Sequence, residues 1–237
     1  MLKLLLQIPV AVDSLGVDLS QTNEPIEKTL SIIDLITSGG LGGQIIMITL
    51  GVLSILTVYL FTERFQVIKK AMKEDPHFMN KVQDYLSENK VESIVALSER
   101  SSSPIANMVA KGALCKSGSS KEIQEAMERQ GNLEIYKLEH NLSSLATIAG
   151  AAPMIGFLGT VIGMIIAFHE MASAGGQIDV EMLSKGIYTA MTTTVAGLIV
   201  GIVAYLAYNH LVEKVTKATF KMEQGTAEFL DVIAQNK

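Results

Sequence analysis

Three stretches of this chain contain no charged residue: 35–62, 141–168 and 186–212. No other feature limits the fold as strongly. A helix needs about 20 apolar residues to cross the hydrocarbon of a bilayer, and each stretch is longer than that. Lipid offers the backbone no hydrogen-bond partner, so a single crossing segment must be helical. The spans are expected at 44–61, 142–168 and 187–210. Composition agrees: 49% of residues are hydrophobic and 18% charged, against roughly 25% charged in soluble domains. The expected fold class is an all-α integral membrane protein with three transmembrane helices and long cytoplasmic helical extensions.

Basic residues orient the spans. Arg64, Lys69, Lys70 and Lys73 follow the first span, and Lys121, Arg129 and Lys137 precede the second. Lys214, Lys217 and Lys221 follow the third, while segment 170–184 has no lysine or arginine. The positive-inside rule then places 62–141 and 211–237 in the cytoplasm and 169–186 outside. The N-terminal segment 1–43 also falls outside. Its first 12 residues resemble a weak signal peptide. Ile26, Leu30, Ile33 and Ile36 have helical spacing, which fits an amphipathic helix on the membrane surface or one packed against the spans.

The region between the first two spans carries helix-start signals. Asp75-Pro76 and Ser103-Pro104 each place a capping residue before a proline at the first helical position. Ser119 and Glu122 have capping-box spacing. Beyond Ser120 no strong stop is present, so one rod is expected over roughly 120–170. Ile123, Met127, Leu133 and Leu138 form its apolar stripe. Glu122, Glu125, Glu128, Arg129, Glu134, Lys137 and Glu139 are expected on a solvated face.

Small and hydroxyl residues mark the second and third spans. Pro153, Gly156, Gly159, Thr160 and Gly163 follow one another on the second. Ala190, Thr194, Gly197 and Gly201 do so on the third. Small residues let membrane helices approach closely, so packing and a partner-facing role are both expected of this set. Thr189, Thr192, Thr193 and Thr194 fall within two turns. A lone threonine can bond the carbonyl one turn back, but four cover most of the helix circumference, so at least one should meet a polar interior. No Asp, Glu, Lys or Arg lies within any span core. Ion-driven machines need a charge-changing group in the membrane, and here it must come from another chain.

Residues 152–163, APMIGFLGTVIG, resemble the second-span motif of the MotA/TolQ/ExbB family, closest to ExbB and TolQ. Residues 186–198, GIYTAMTTTVAGL, resemble its third-span motif, and Glu63-Arg64 also fits. The resemblance implies an ExbB-like subunit in a bacterial inner membrane, assembled as a homopentamer around an ExbD-like single-span partner. That partner's aspartate carries the ion, and the motor energises a TonB-like protein. The family's channel threonines fall on Thr160 and Thr194. The sequence departs from the ExbB pattern at Thr189, where a glutamate is usual, and at Thr193, where alanine is. This threonine-rich arrangement resembles sodium-driven stators, and a hard cation prefers oxygen ligands; sodium is therefore an alternative to the proton.

Other classes fit poorly. The four histidines are scattered singly, no phosphate-binding glycine loop is present, and Cys115 is the sole cysteine. Neither an enzyme, nor a cofactor beyond the transported H+ or Na+, nor a nucleic-acid partner is expected. Cys115 should be a small buried hydrophobe. TolQ-like envelope maintenance and a MotA-like stator share the architecture. A scaffold that assembles helices without conducting ions is the reading from another class.

Overall fold

The computed structural model describes residues 40–73, 75–101, 103–173 and 180–235. It is all α-helical among those residues. Seven helices follow in order: α1 Gly40–Ala71, α2 Phe78–Ser87, α3 Val91–Glu99, α4 Pro104–Leu114, α5 Ser120–Glu139, α6 Leu142–Ser173 and α7 Val180–Gln235. Three of these stretches, in α1, α6 and α7, are long and apolar enough to cross a membrane. The chain is thus an all-α membrane protein. The N-terminal segment expected to hold an amphipathic helix lies outside the described residues.

Two cores hold the chain. In the membrane layer, Ile46, Leu50, Leu60 and Ile68 of α1 pack with Leu142, Leu145, Ile148 and Ala152 of α6 and with Ala204, Leu211, Val215 and Ala218 of α7. The far side of α1 is left bare: Ile45, Ile48, Val52, Ile55, Val58 and Tyr59 are all exposed. That face is apolar enough to sit in lipid, which is as apolar as these side chains.

The second core belongs to the polar domain. Val82, Leu86, Ile94, Val109, Ile123 and Met127 surround Phe229 and Ile233 from the end of α7. Phe229 is fully buried, and a ring of that size contributes about 1.5–3 kcal/mol relative to exposure. The domain therefore closes only when the last turns of α7 return to it. Cys115 caps α4 and is half-buried against this core.

Several local expectations change. The uninterrupted rod is α7, 56 residues long, not 120–170. The rod expected there breaks at His140 and Asn141, where Asn141 takes φ 64°. Asparagine tolerates that left-handed conformation better than most residues, so it acts as the stop. The stripe of α5 runs Ile123, Met127, Gly131, Glu134 and Leu138, whereas Leu133 is 57% exposed. Helical spacing from Met127 to Leu138 passes through 131 and 134, and this brings a carboxylate inside.

Glu134 is accordingly buried rather than solvated. Asn107, Gln130 and Lys137 donate to its Oε1 at 3.2, 2.8 and 2.9 Å. These donors replace the lost water.

Ser119 and Glu122 form the reciprocal capping box. Ser103 is the N-cap of α4 before Pro104, although its side chain makes no cap bond. Asp75 does not cap a helix starting at Pro76, because α2 begins at Phe78. Its carboxylate instead accepts from the His77 N–H at 3.0 Å and from Lys81 Nζ at 2.7 Å. The Lys81 hydrogen bond, then the His77 amide, hold the Asp75 carboxyl below its ordinary value.

Candidate functional site

The small residues of α6 and α7 meet each other within one chain. A β-carbon on Gly156 would lie 2.7 Å from the Thr193 carbonyl oxygen and 3.0 Å from Gly197 Cα. One on Gly163 would lie 2.9 Å from Ala190 Cβ, and one on Gly201 would lie 2.5 Å from Pro153 Cγ. Gly159 lies directly under the Thr193 side chain. All seven expected packing residues are therefore in or beside this seam. Backbone meets backbone at its centre, which only glycine permits. Pro153 adds a further feature, because a proline deprives the carbonyl one turn earlier of its helical donor. That carbonyl, Ala149 O, faces Gly201.

The threonines lie in the same seam. Thr193 is 1% exposed. Its hydroxyl can donate to Ala190 O at 2.7 Å or to Gly156 O at 3.2 Å. Thr194 can donate to Gly156 O at 3.2 Å, and Thr160 to Ala190 O at 3.0 Å. The Thr160 and Thr194 hydroxyls also contact each other directly.

Five oxygens thus converge: three hydroxyls and the carbonyls of Gly156 and Ala190. The two carbonyls were invisible in a reading of side chains. The signal that could have found them is the run of glycines, which exposes backbone to a neighbouring helix.

A hydroxyl has one proton to donate and can accept as well. The Thr160–Thr194 pair therefore has two arrangements. Either Thr160 donates to Ala190 O while Thr194 donates to Thr160, or Thr194 donates to Gly156 O while Thr160 donates to Thr194. The heavy atoms need not move between them. Such a pair can reverse its dipole in response to a charge nearby.

Thr189 is separate from this cluster. It is buried, and its hydroxyl donates to Lys185 O one turn back at 3.0 Å. Thr192 does the same with Tyr188 O at 2.9 Å. Both bonds are local to the helix. The structure thus brings Thr160, Thr193 and Thr194 together and leaves Thr189 outside.

At the basic end of the spans, Arg64 is 7% exposed. It pairs with Glu63 and points Nη1 at the Lys137 carbonyl, 3.5 Å away. The Arg64 hydrogen bond thereby ties the base of α1 to the last turn of α5.

The described membrane stretches contain no acidic side chain facing the threonines; Glu170 sits at the opposite, exposed end of α6. The geometry can relay or coordinate through oxygen, but it has no group of its own that changes charge.

Comparison with known proteins places this arrangement. A model of the MotA/TolQ/ExbB proton channel family matches residues 100–224, just over half of the chain. The Tol-Pal system protein TolQ of Haemophilus influenzae is 30% identical over 218 residues, 85% of this chain and 91% of that protein. The biopolymer transport protein ExbB of Helicobacter pylori is 39% identical over 83 residues, 35% of this chain and 54% of that protein. The ExbB of Aquifex aeolicus is 34% identical over 87 residues, 37% of this chain and 58% of that protein.

Proposed function

This chain belongs to the MotA/TolQ/ExbB proton channel family, and on that premise we propose that it is an ExbB-like motor subunit. It sits in a bacterial inner membrane with its C-terminus in the cytoplasm. Five copies surround an ExbD-like single-span partner whose aspartate carries the ion. Ion flow then energises a TonB-like protein and, through it, transport across the outer membrane.

The observation that carries this reading is the hydroxyl cluster without an acid. Thr160, Thr193 and Thr194 share two backbone carbonyls in the middle of the spans. A carboxylate brought beside them from another chain would find donors for its charged form. On protonation it would find acceptors, because the threonine pair can reverse. One charge crossing the membrane supplies about 2.3 kcal/mol per 100 mV, so a few ions per step suffice to repack a helix interface. Thr189 stands where the ExbB pattern has glutamate, and its hydroxyl is spent within α7. This leaves the charge change to the partner.

Two variants of the reading have their own support. The alignment with TolQ covers 91% of that protein, which supports TolQ-like envelope maintenance as the alternative output. The five converging oxygens favour Na+ as the alternative ion, since hard cations take oxygen ligands. Motor-dependent uptake measured with the sodium gradient collapsed and the proton gradient intact separates the ions: unchanged uptake excludes sodium. Deletion of the chain separates the outputs, as loss of TonB-dependent uptake with an intact envelope is the ExbB outcome. Deletion phenotypes restored by Thr160→Val would instead support a non-conducting scaffold.

A further inference from the structure

A slot of about 220 Å³ opens between α1 and α7 at the basic end of the spans. Phe65, Ile68, Met72 and Leu211 form its apolar walls, and Lys69 and Lys214 are its charged residues. No carboxylate lines it. Neither lysine has an ion-pair partner among the described residues, where Glu63 is taken by Arg64 and Glu213 by Lys217. His210 stacks on Phe65 with ring centroids 6.1 Å apart.

The level of the slot identifies what it can hold. The charge-free windows end at Thr62 and Val212. At 1.5 Å per residue, Lys69 lies about 10 Å beyond the first and Lys214 about 3 Å beyond the second. The polar headgroup layer begins where the hydrocarbon ends and is about 5–8 Å deep on each side. Lysine stems reach several ångströms toward that layer while their ammonium groups stay wet. By the same rise Phe65 lies about 4–5 Å beyond the first window, and Leu211 is the next-to-last residue of the second. Two cations at and just beyond that layer, beside the half-buried Phe65 ring, match a molecule with an anionic head and an acyl chain.

We propose that this slot is a binding site for an anionic phospholipid, its phosphate held by Lys69 and Lys214 and the start of one acyl chain passing the half-buried Phe65 toward the hydrocarbon. The site depends on the spans and their flanks and not on ion coupling. Basic pockets between spanning helices are suited to such headgroups. The lipid also bridges α1 to α7, the helices that line the slot.

The test uses the full-length chain purified in detergent. It is titrated with dioleoyl phosphatidylglycerol, with dioleoyl phosphatidylcholine and with inorganic phosphate, and bound molecules are counted by native mass spectrometry. The wild type should retain phosphatidylglycerol and discard the other two. Lys69→Gln with Lys214→Gln should weaken retention by at least about tenfold, since each lysine near an anionic headgroup contributes severalfold. Lys69→Arg with Lys214→Arg should retain it. Lys70→Gln with Lys73→Gln removes the same charge at and just past the end of α1, outside the slot, and should change retention less than about threefold. All these lysines are at least partly exposed, and unchanged helicity checks the fold of each variant. The proposal is overturned if both glutamine pairs weaken retention equally, which would indicate a diffuse field. It is also overturned if phosphate competes as well as the lipid does, or if no phosphatidylglycerol is retained because a second copy covers the slot.

Discussion

Thr160 of α6 donates its hydroxyl hydrogen to the carbonyl of Ala190 in α7, 3.0 Å away across the seam. This bond and the adjoining Thr194 hydroxyl join the two small-residue spans by polar contact as well as by packing. Valine has the branched shape of threonine without the hydroxyl. Thr160→Val and Thr194→Val should each therefore cost only about 1 kcal/mol of stability and leave the oligomer intact. Motor-dependent uptake should fall to background in both. Size-exclusion chromatography with an uptake assay checks this. Full activity in either variant would remove that hydroxyl from the ion pathway.

The seam itself should be far less tolerant. Gly156→Ala places a methyl group against the Thr193 carbonyl and Gly197 Cα, and backbone cannot swing aside as a side chain can. Overpacking of this kind costs about 1–3 kcal/mol or more. Gly150→Ala is the control, because a β-carbon there meets nothing within 4 Å in this chain and alanine favours a helix by up to about 1 kcal/mol. Thermal melting of the purified variants should separate the two by several degrees. Equal melting would mean that α6 and α7 do not touch as described.

The spans could be read directly because a bilayer imposes one demand, about 20 uncharged residues in a row, and 141–168 satisfies it without context. The small-residue faces were equally legible as a periodicity. Their neighbour was not, since a glycine at helical spacing accepts any close surface. The structure has Gly156 against Gly197 in the same chain, so these glycines are consumed before any partner arrives. Thr193 shows the same limit: its position on the helix was readable, but its burial against Gly159 depends on how α6 is turned. Glu134 failed for a different reason. Charge alone placed it in solvent, although its spacing from Leu138 placed it inside, and spacing prevailed because three donors were within reach.

That carboxylate supports the third prediction. Glu134→Ala would strip Asn107, Gln130 and Lys137 of a shared acceptor. Asn107 and Gln130 are half-buried and Lys137 is exposed, so the loss should be about 1 kcal/mol, that of ordinary hydrogen bonds. Glu134→Gln keeps one oxygen acceptor in place and should recover at least half of that loss. Chemical denaturation followed by circular dichroism gives both values. A variant Glu134→Ala as stable as wild type would show that these donors find water instead.

The junction of α5 and α6 offers the last test. Asn141 holds φ 64° between the two helices, and a β-branched side chain is strained in that region. The left-handed conformation costs an ordinary residue roughly 1–2 kcal/mol, whereas glycine adopts it freely. Asn141→Gly should thus preserve stability within about 0.5 kcal/mol, and Asn141→Val should lose about 1–2 kcal/mol or straighten the junction. Straightening has its own consequence, because Arg64 reaches the Lys137 carbonyl only while α5 turns at this point. A cysteine pair placed at 64 and 137 would report it through a bifunctional maleimide, because a gap bridged by an arginine side chain exceeds the roughly 7 Å Cα limit of a direct disulfide. Efficient cross-linking in the Asn141→Gly background and its loss with Asn141→Val is the expected result. Equal cross-linking in both would show that the turn does not depend on residue 141.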